Sequence, residues 1–331
     1  MQTLFTERKK RGLLRSGLGM VADNKRYILW FWLLNLTLAE FGTYSFSKSA
    51  HAILDHSLQS DRLLHRFDIT VMTELFVRPE FGSMAAMEVP AFCFAFLFFL
   101  ATALFLPGVF QGYASTYRLP REDFFRACGR NLWRFIRLMI VAGLVMGIVA
   151  GALFGISTAL VKKAGESTYE MLGFEVQLAG LAVIFLIMTV LRIWFDLAEA
   201  DIVLNDQRAV RKSMGAGLRL LVRGLRRLLA SYVVAAIIAG IILVGGLLAW
   251  MKLVAPANVL GAFIISQLTL LLLLIPRFWQ RGVAVSYWRQ AMTMTVPEVA
   301  AEPVELQPVA ISPAPEPAPV IPNLPPPEPE S

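Results

Sequence analysis

A chain of 331 residues that is 56% hydrophobic and only 17% charged does not have the make-up of a soluble domain, where about a quarter of residues are charged. The formal charge of +7 is uneven, because residues 290–331 hold six glutamates and no Lys or Arg, which leaves +13 on the rest. That excess does not point to nucleic acid. The basic residues flank apolar runs, where anionic lipid headgroups are the nearer partner.

In chain order, residues 1–26 form a basic segment with seven Lys or Arg. Six near-continuous apolar runs follow, at 27–46, 89–110, 138–160, 176–191, 230–251 and 259–276. Each approaches the ~20 residues that cross a bilayer. The expected fold is therefore an all-α polytopic bundle of six transmembrane helices in three hairpins, with 27–290 as the membrane domain. The first run could be mistaken for a signal peptide, but Thr37-Leu38-Ala39 is a poor cleavage site and apolar character continues to Phe46. It is read as an uncleaved anchor.

Orientation follows from Lys and Arg in the connections. Alternate segments hold 24 on one side against 7 on the other, so the positive-inside rule places both termini in the cytoplasm. The long connection 47–88 then lies outside, and its stretch AILDHSLQSDRLLHRFDITVMTELFV has helical character that Pro79 and Gly82 end. It contains all three histidines, His51, His56 and His65. On a helix the pairs His51/Asp55 and Asp61/His65 stand about two turns apart, too far to converge on a metal. No metal or cofactor is expected. Cys93 and Cys128 are not placed for an external disulfide.

Two cytoplasmic connections are strongly basic. In DIVLNDQRAVRKSMGAGLRLLVRGLRRLLASYVV, Arg208, Arg211, Lys212, Arg219, Arg223 and Arg226 fall on one side of a helical wheel. Val210, Met214, Leu218, Leu221, Leu225 and Leu228 fall opposite. In REDFFRACGRNLWRFIRL, Arg126, Arg130, Arg134 and Arg137 form a comparable stripe. Both segments are expected to be interfacial helices lying in the headgroup layer with the apolar face down. They stand 85 residues apart, with Arg126 matching Arg211, Cys128 matching Ser213 and Arg134 matching Arg219. The exits PGVFQGYASTYR and PRFWQRGVAVSYWR also correspond, so an internal hairpin repeat is expected.

The segment AVRKSMGAGLRLLVRG, residues 209–224, resembles an Ala-aliphatic-basic-basic-Ser segment before the penultimate span of a broad group of bacterial six-span membrane proteins. That group includes the membrane domain attached to glycerophosphodiester phosphodiesterases. The resemblance covers residues 20–290 and implies a bacterial cytoplasmic-membrane protein. The soluble phosphodiesterase domain has no counterpart here, so it implies no catalytic residue.

Within the spans, Gly143, Gly147, Gly151 and Gly155 repeat at i+4 spacing and would allow another helix backbone to approach closely. Packing inside the bundle is the expected use, with a homo-oligomer contact or a substrate-lining face as alternatives. Glu40 and Asn35 in the first run are candidate transport residues, since an intramembrane carboxylate is costly unless it serves a purpose. A structural role near the outer end is the competing reading. Gln177 and Gln267 could hydrogen-bond between helices. Arg192, Asp196, Glu199 and Asp201 at the exit of the fourth run read as a solvated helical extension with i,i+4 and i,i+3 pairs. No zinc-protease, P-loop or nucleophile-elbow motif occurs.

Twelve prolines follow Thr295. This Pro/Glu-rich tail, 291–331, is expected to be extended and disordered, a spacer or a recruiter of a cytoplasmic partner protein. The composition supports a non-enzymatic organiser of anionic phospholipids or partner proteins at the inner leaflet; the alternative is a small solute or lipid transporter.

Overall fold

A computed structural model describes residues 12–54, 84–115, 117–166, 169, 171–254 and 258–295. Among them it contains seven helices and no strand. These are α1 (Leu13–Asp23), α2 (Lys25–Leu54), α3 (Met84–Ala114), α4 (Arg121–Gly165), α5 (Leu172–Leu204), α6 (Val210–Leu253) and α7 (Val259–Thr295). Side chains of α2 are described as far as Phe41. Five of the helices, α3 to α7, are long and apolar enough to cross a membrane. This is a multi-pass helical membrane protein. The helical state follows from the solvent: in hydrocarbon every backbone N–H and C=O must be satisfied within the segment. Most of the 47–88 connection, including His56 and His65, and the tail beyond Thr295 lie outside the described residues, as does the His51 side chain.

The helices are longer than the runs that suggested them. The basic segments are not separate interfacial helices: each is the opening part of a continuous helix, 45 residues in α4 and 44 in α6. Neither contains a proline between its basic and apolar parts, so nothing in the backbone turns the chain at the headgroup level. α4 carries Glu122 and Asp123 in its first turn and Lys162 and Lys163 in its last, matching the helix dipole at both ends. Between α5 and α6 the chain reverses through Asp206, which has φ of 50°. Asp is one of the few non-glycine residues that tolerates this left-handed conformation.

Packing is concentrated at one end. The buried core is a single cluster built from α1, the start of α2, the end of α3, the start of α4, the end of α5, the start of α6 and the end of α7. Tyr27, Phe110, Phe135, Leu138, Leu197, Leu228, Tyr232 and Phe278 are among its fully buried side chains. We call this the basic end. Elsewhere the helices present apolar side chains outward, including Ile140, Leu144, Ile148 and Leu160 on α4 and Ile237, Ile241 and Leu248 on α6. None of the most apolar window of α4 is buried. Three contacts join opposite ends of helices that follow one another in sequence. Tyr27 contacts Tyr113, Gly180 meets Ser157, and Gly246 meets Thr269.

The N-terminal helix α1 docks onto α7 by backbone contact. A methyl group added to Gly17 would lie 2.9 Å from the Val283 nitrogen, and one added to Gly282 would lie 2.7 Å from the Gly17 oxygen. Trp279 Nε1 donates to the Leu14 carbonyl at 2.8 Å and Ser286 Oγ to Ser16 Oγ at 3.0 Å. Because backbone cannot yield as a side chain can, Gly282→Leu should undock α1. A loss of about 1–3 kcal/mol, the usual range for overpacking, should appear as a lower thermal midpoint and faster proteolysis at residues 12–24, whereas Gly215→Ala, in open space, should leave both unchanged.

Candidate functional site

The three acidic residues near the end of α5 are inside the protein. Contrary to the expected solvated extension, Asp196, Glu199 and Asp201 are 6%, 9% and 2% exposed, because α3, α4 and α6 all pack against this part of α5. Asp196 Oδ2 accepts a hydrogen bond from the Tyr232 hydroxyl at 2.7 Å, and Arg192 Nε lies 3.9 Å from the same oxygen. Asp201 Oδ1 accepts from Asn205 Nδ2 at 2.7 Å and from Trp288 Nε1 at 3.3 Å. Gln280 Nε2 donates to the Tyr232 carbonyl at 3.3 Å. Glu199 Oε2 is buried without a hydrogen-bond partner. Arg281, Arg192 and Arg277 lie within electrostatic reach of Glu199, as does Asp196.

A cavity of about 420 Å³ adjoins this cluster, enclosed by residues of α2, α3 and α7. Phe31, Phe98, Leu270 and Leu274 supply apolar wall, and Asn35, Gln267, Arg277 and Arg281 supply polar groups. Three further polar atoms on lining residues have no partner: Trp32 Nε1, Thr102 Oγ1 and Arg281 Nε. The backbone is locally special too. Pro276 lies inside α7 and carries no N–H to bond the Leu272 carbonyl, one turn before Arg277 and Phe278.

Of the candidate transport residues, Asn35 lines this cavity and Glu40 does not. Glu40 is exposed on α2. Gly143, Gly147, Gly151 and Gly155 pack against nothing among the described residues: a methyl group added to any of them meets open space. Their stripe faces away from the bundle because α5 and α3 pack on other faces of α4. The close helix approaches are made by other glycines, such as Gly217, where an added methyl would lie 3.0 Å from the Ala198 nitrogen.

The two basic stripes differ in their partners. On α4, Arg126 bonds Asp123 at 3.1 Å and Glu122 at 3.2 Å. Arg130 and Arg134 both bond Asp206, Arg134 at 2.7 Å, and the Arg137 guanidinium lies 5.1 Å from the Trp133 ring centroid. On the loop before α6 and on α6 itself, Arg208, Arg211, Lys212, Arg219, Arg223 and Arg226 are exposed and form no ion pair among the described residues. The buried face of α6 is Ser213, Gly217, Leu220, Leu221, Gly224 and Leu228. Leu218 and Leu225, expected on the apolar face, are exposed beside the arginines. Small residues take the buried side because α5 and Tyr287 of α7 approach it closely.

Sequence reasoning found Arg192, Asp196, Glu199 and Asp201 as a group but missed their partners Tyr232, Gln280, Arg281 and Trp288. The one available signal was polar residues within otherwise apolar stretches of α6 and α7. Comparison of the chain with protein-family models, with curated proteins and with solved structures finds no match.

Two outcomes test this account. Tyr232→Phe removes the hydroxyl donor to buried Asp196 and should lower stability by about 1–3 kcal/mol, the range for orphaning a buried polar group, seen as a reduced thermal midpoint in detergent. The hydrogen bond from Arg134, aided by the charge of Arg130, holds the Asp206 carboxyl below its usual range. Its contribution is then complete above the ordinary Asp value of about 3.9 and is lost as pH falls through the lower folded-state value. Asp206→Asn should therefore be less stable than wild type at neutral pH, with the gap closing on acidification; a gap independent of pH would refute the ionic link.

Proposed function

We propose that this is a bacterial cytoplasmic-membrane protein of six spans in three hairpins, both termini cytoplasmic. In this reading it is not an enzyme; it organises anionic phospholipids or partner proteins at the inner leaflet. The observation that carries the reading is the α6 stripe: five exposed, unpaired basic residues on the side of the helix opposite its buried face, with exposed Arg208 on the loop before it. Each basic residue near an anionic surface contributes about 1 kcal/mol, and exposed Leu218, Val222 and Leu225 offer apolar contact beside them. The α4 arginines contribute less, since Glu122, Asp123 and Asp206 already neutralise them. The span count is supported by the 30-residue helix α2 over the first apolar run, and the hairpins by the contacts between opposite ends of successive helices. Membership of the group containing phosphodiesterase membrane domains, an internal repeat and partner recruitment by the proline-rich tail belong to the same proposal. So does homo-oligomer formation, for which the outward glycine stripe of α4 leaves room for a second helix.

A transporter is the second reading, favoured by the cavity that Asn35 lines. The two separate experimentally. With the protein reconstituted in phosphatidylcholine vesicles containing spin-labelled phosphatidylglycerol, electron spin resonance reports lipid held at the protein surface. Replacing Arg219, Arg223 and Arg226 together by Gln should reduce the preference for the anionic label several-fold, while Arg126→Gln should change it little. An undiminished preference in the triple variant would remove the basis for the organiser reading, and solute flux compared between wild type and Asn35→Leu would then decide for transport.

A further inference from the structure

We propose that the cavity between α2, α3 and α7 is a binding site for a single-chain anionic amphiphile, with its tail against the apolar wall and its head at Arg277 and Arg281. This goes beyond the surface lipid reading, since it concerns a cavity between other helices.

The chemistry of the lining defines the ligand. Arg281 is 7% exposed, and its Nε has no hydrogen-bond partner. Neither Arg281 nor Arg277 forms an ion pair among the described residues, although both lie within electrostatic reach of Glu199; the Phe278 ring centroid lies 5.5 Å from the Arg281 guanidinium carbon. Arginine and the indole nitrogen can only donate, so buried Arg281 Nε and Trp32 Nε1 require an acceptor, and Arg277 stands on the same lining with its donors exposed. Thr102, also 7% exposed, adds a hydroxyl with no partner. A buried cation is costly unless it is paired, and a carboxylate or phosphate is the group whose geometry the guanidinium fork matches. Most of the remaining wall is apolar, with Asn35 and Gln267 as its polar groups. Phe31, Leu36, Phe98, Leu270, Leu273 and Leu274 offer no hydrogen bonds, and an apolar tail is the part that gains from burial there. The volume of about 420 Å³ lies within the range of roughly 300–1,000 Å³ usual for small-molecule sites.

Fatty-acid carboxylates and lysophospholipid phosphates share this chemistry, and the experiment separates them. The full chain is purified in uncharged detergent, incubated with palmitate, 1-palmitoyl lysophosphatidate, inorganic phosphate or uncharged monopalmitin, and its occupancy read by native mass spectrometry. One saturable adduct of palmitate or of lysophosphatidate supports the site, and the tighter of the two identifies the head. Arg277→Gln should weaken that binding by about 10-fold or more, as expected for a lost bond to a charged group. Arg277 is exposed, so this variant should fold with an unchanged ligand-free thermal midpoint. Leu274→Trp, which fills the cavity, provides a second block. The triple α6 variant should bind as wild type, so failure of the surface reading leaves this one standing, and the reverse. Equal occupancy by monopalmitin, equal binding of phosphate alone, no adduct, or wild-type binding by Arg277→Gln would each overturn the proposal.

Discussion

The structure depends on a mismatch of length. At 1.5 Å per residue the 45 residues of α4 and the 44 of α6 extend about 67 Å, against a hydrocarbon thickness of about 30 Å. Roughly half of each helix must therefore lie outside hydrocarbon, and it is the part that begins with arginines. There the ordinary hydrophobic effect operates, and there the core forms. In the apolar half, lipid solvates side chains as well as a neighbouring helix would, so association brings no such gain. A tightly packed basic end and outward-facing apolar helices follow from that one difference in solvent.

The polar residues divide according to the same boundary. Asp196 and Asp201 are buried, yet each accepts bonds from residues far away in sequence, Tyr232 and Trp288. A buried carboxylate is tolerated when it is hydrogen-bonded, and the convergence of α5, α6 and α7 supplies these donors. Other buried atoms are left without a partner: Trp32, Thr102 and Arg281 each have one on the cavity lining, and Glu199, Tyr113, Ser213 and Arg26 each have one elsewhere.

Two stripes that are equivalent on a helical wheel have become different surfaces. The reversal at Asp206 presents its carboxylate to Arg130 and Arg134, which ties the α5–α6 loop to α4 and consumes charge that the wheel leaves facing lipid. Nothing comparable reaches Arg219, Arg223 or Arg226. The glycines divide in the opposite sense. The regular stripe of α4 is unoccupied, while Gly17, Gly217 and Gly282 make the closest backbone approaches. Small size permits close approach but does not supply the neighbour.

By itself the sequence determined that the chain is a helical membrane protein, and where its apolar helices lie. Length and hydropathy are local quantities, and hydrocarbon admits few other conformations for such segments. It also isolated Arg192, Asp196, Glu199 and Asp201, because charges stand out against an apolar run. Only the tertiary structure decided that these acids are buried, that the basic segments continue unbroken into the membrane helices, and that Arg281, Thr102 and Trp32 surround one cavity. Burial, pairing and enclosure are properties of what lies opposite a residue, and the residues opposite come from distant helices, 87 positions away from Asp201 to Trp288 and 270 from Ser16 to Ser286. Periodicity describes a helix face; it carries no information about which other helix meets it.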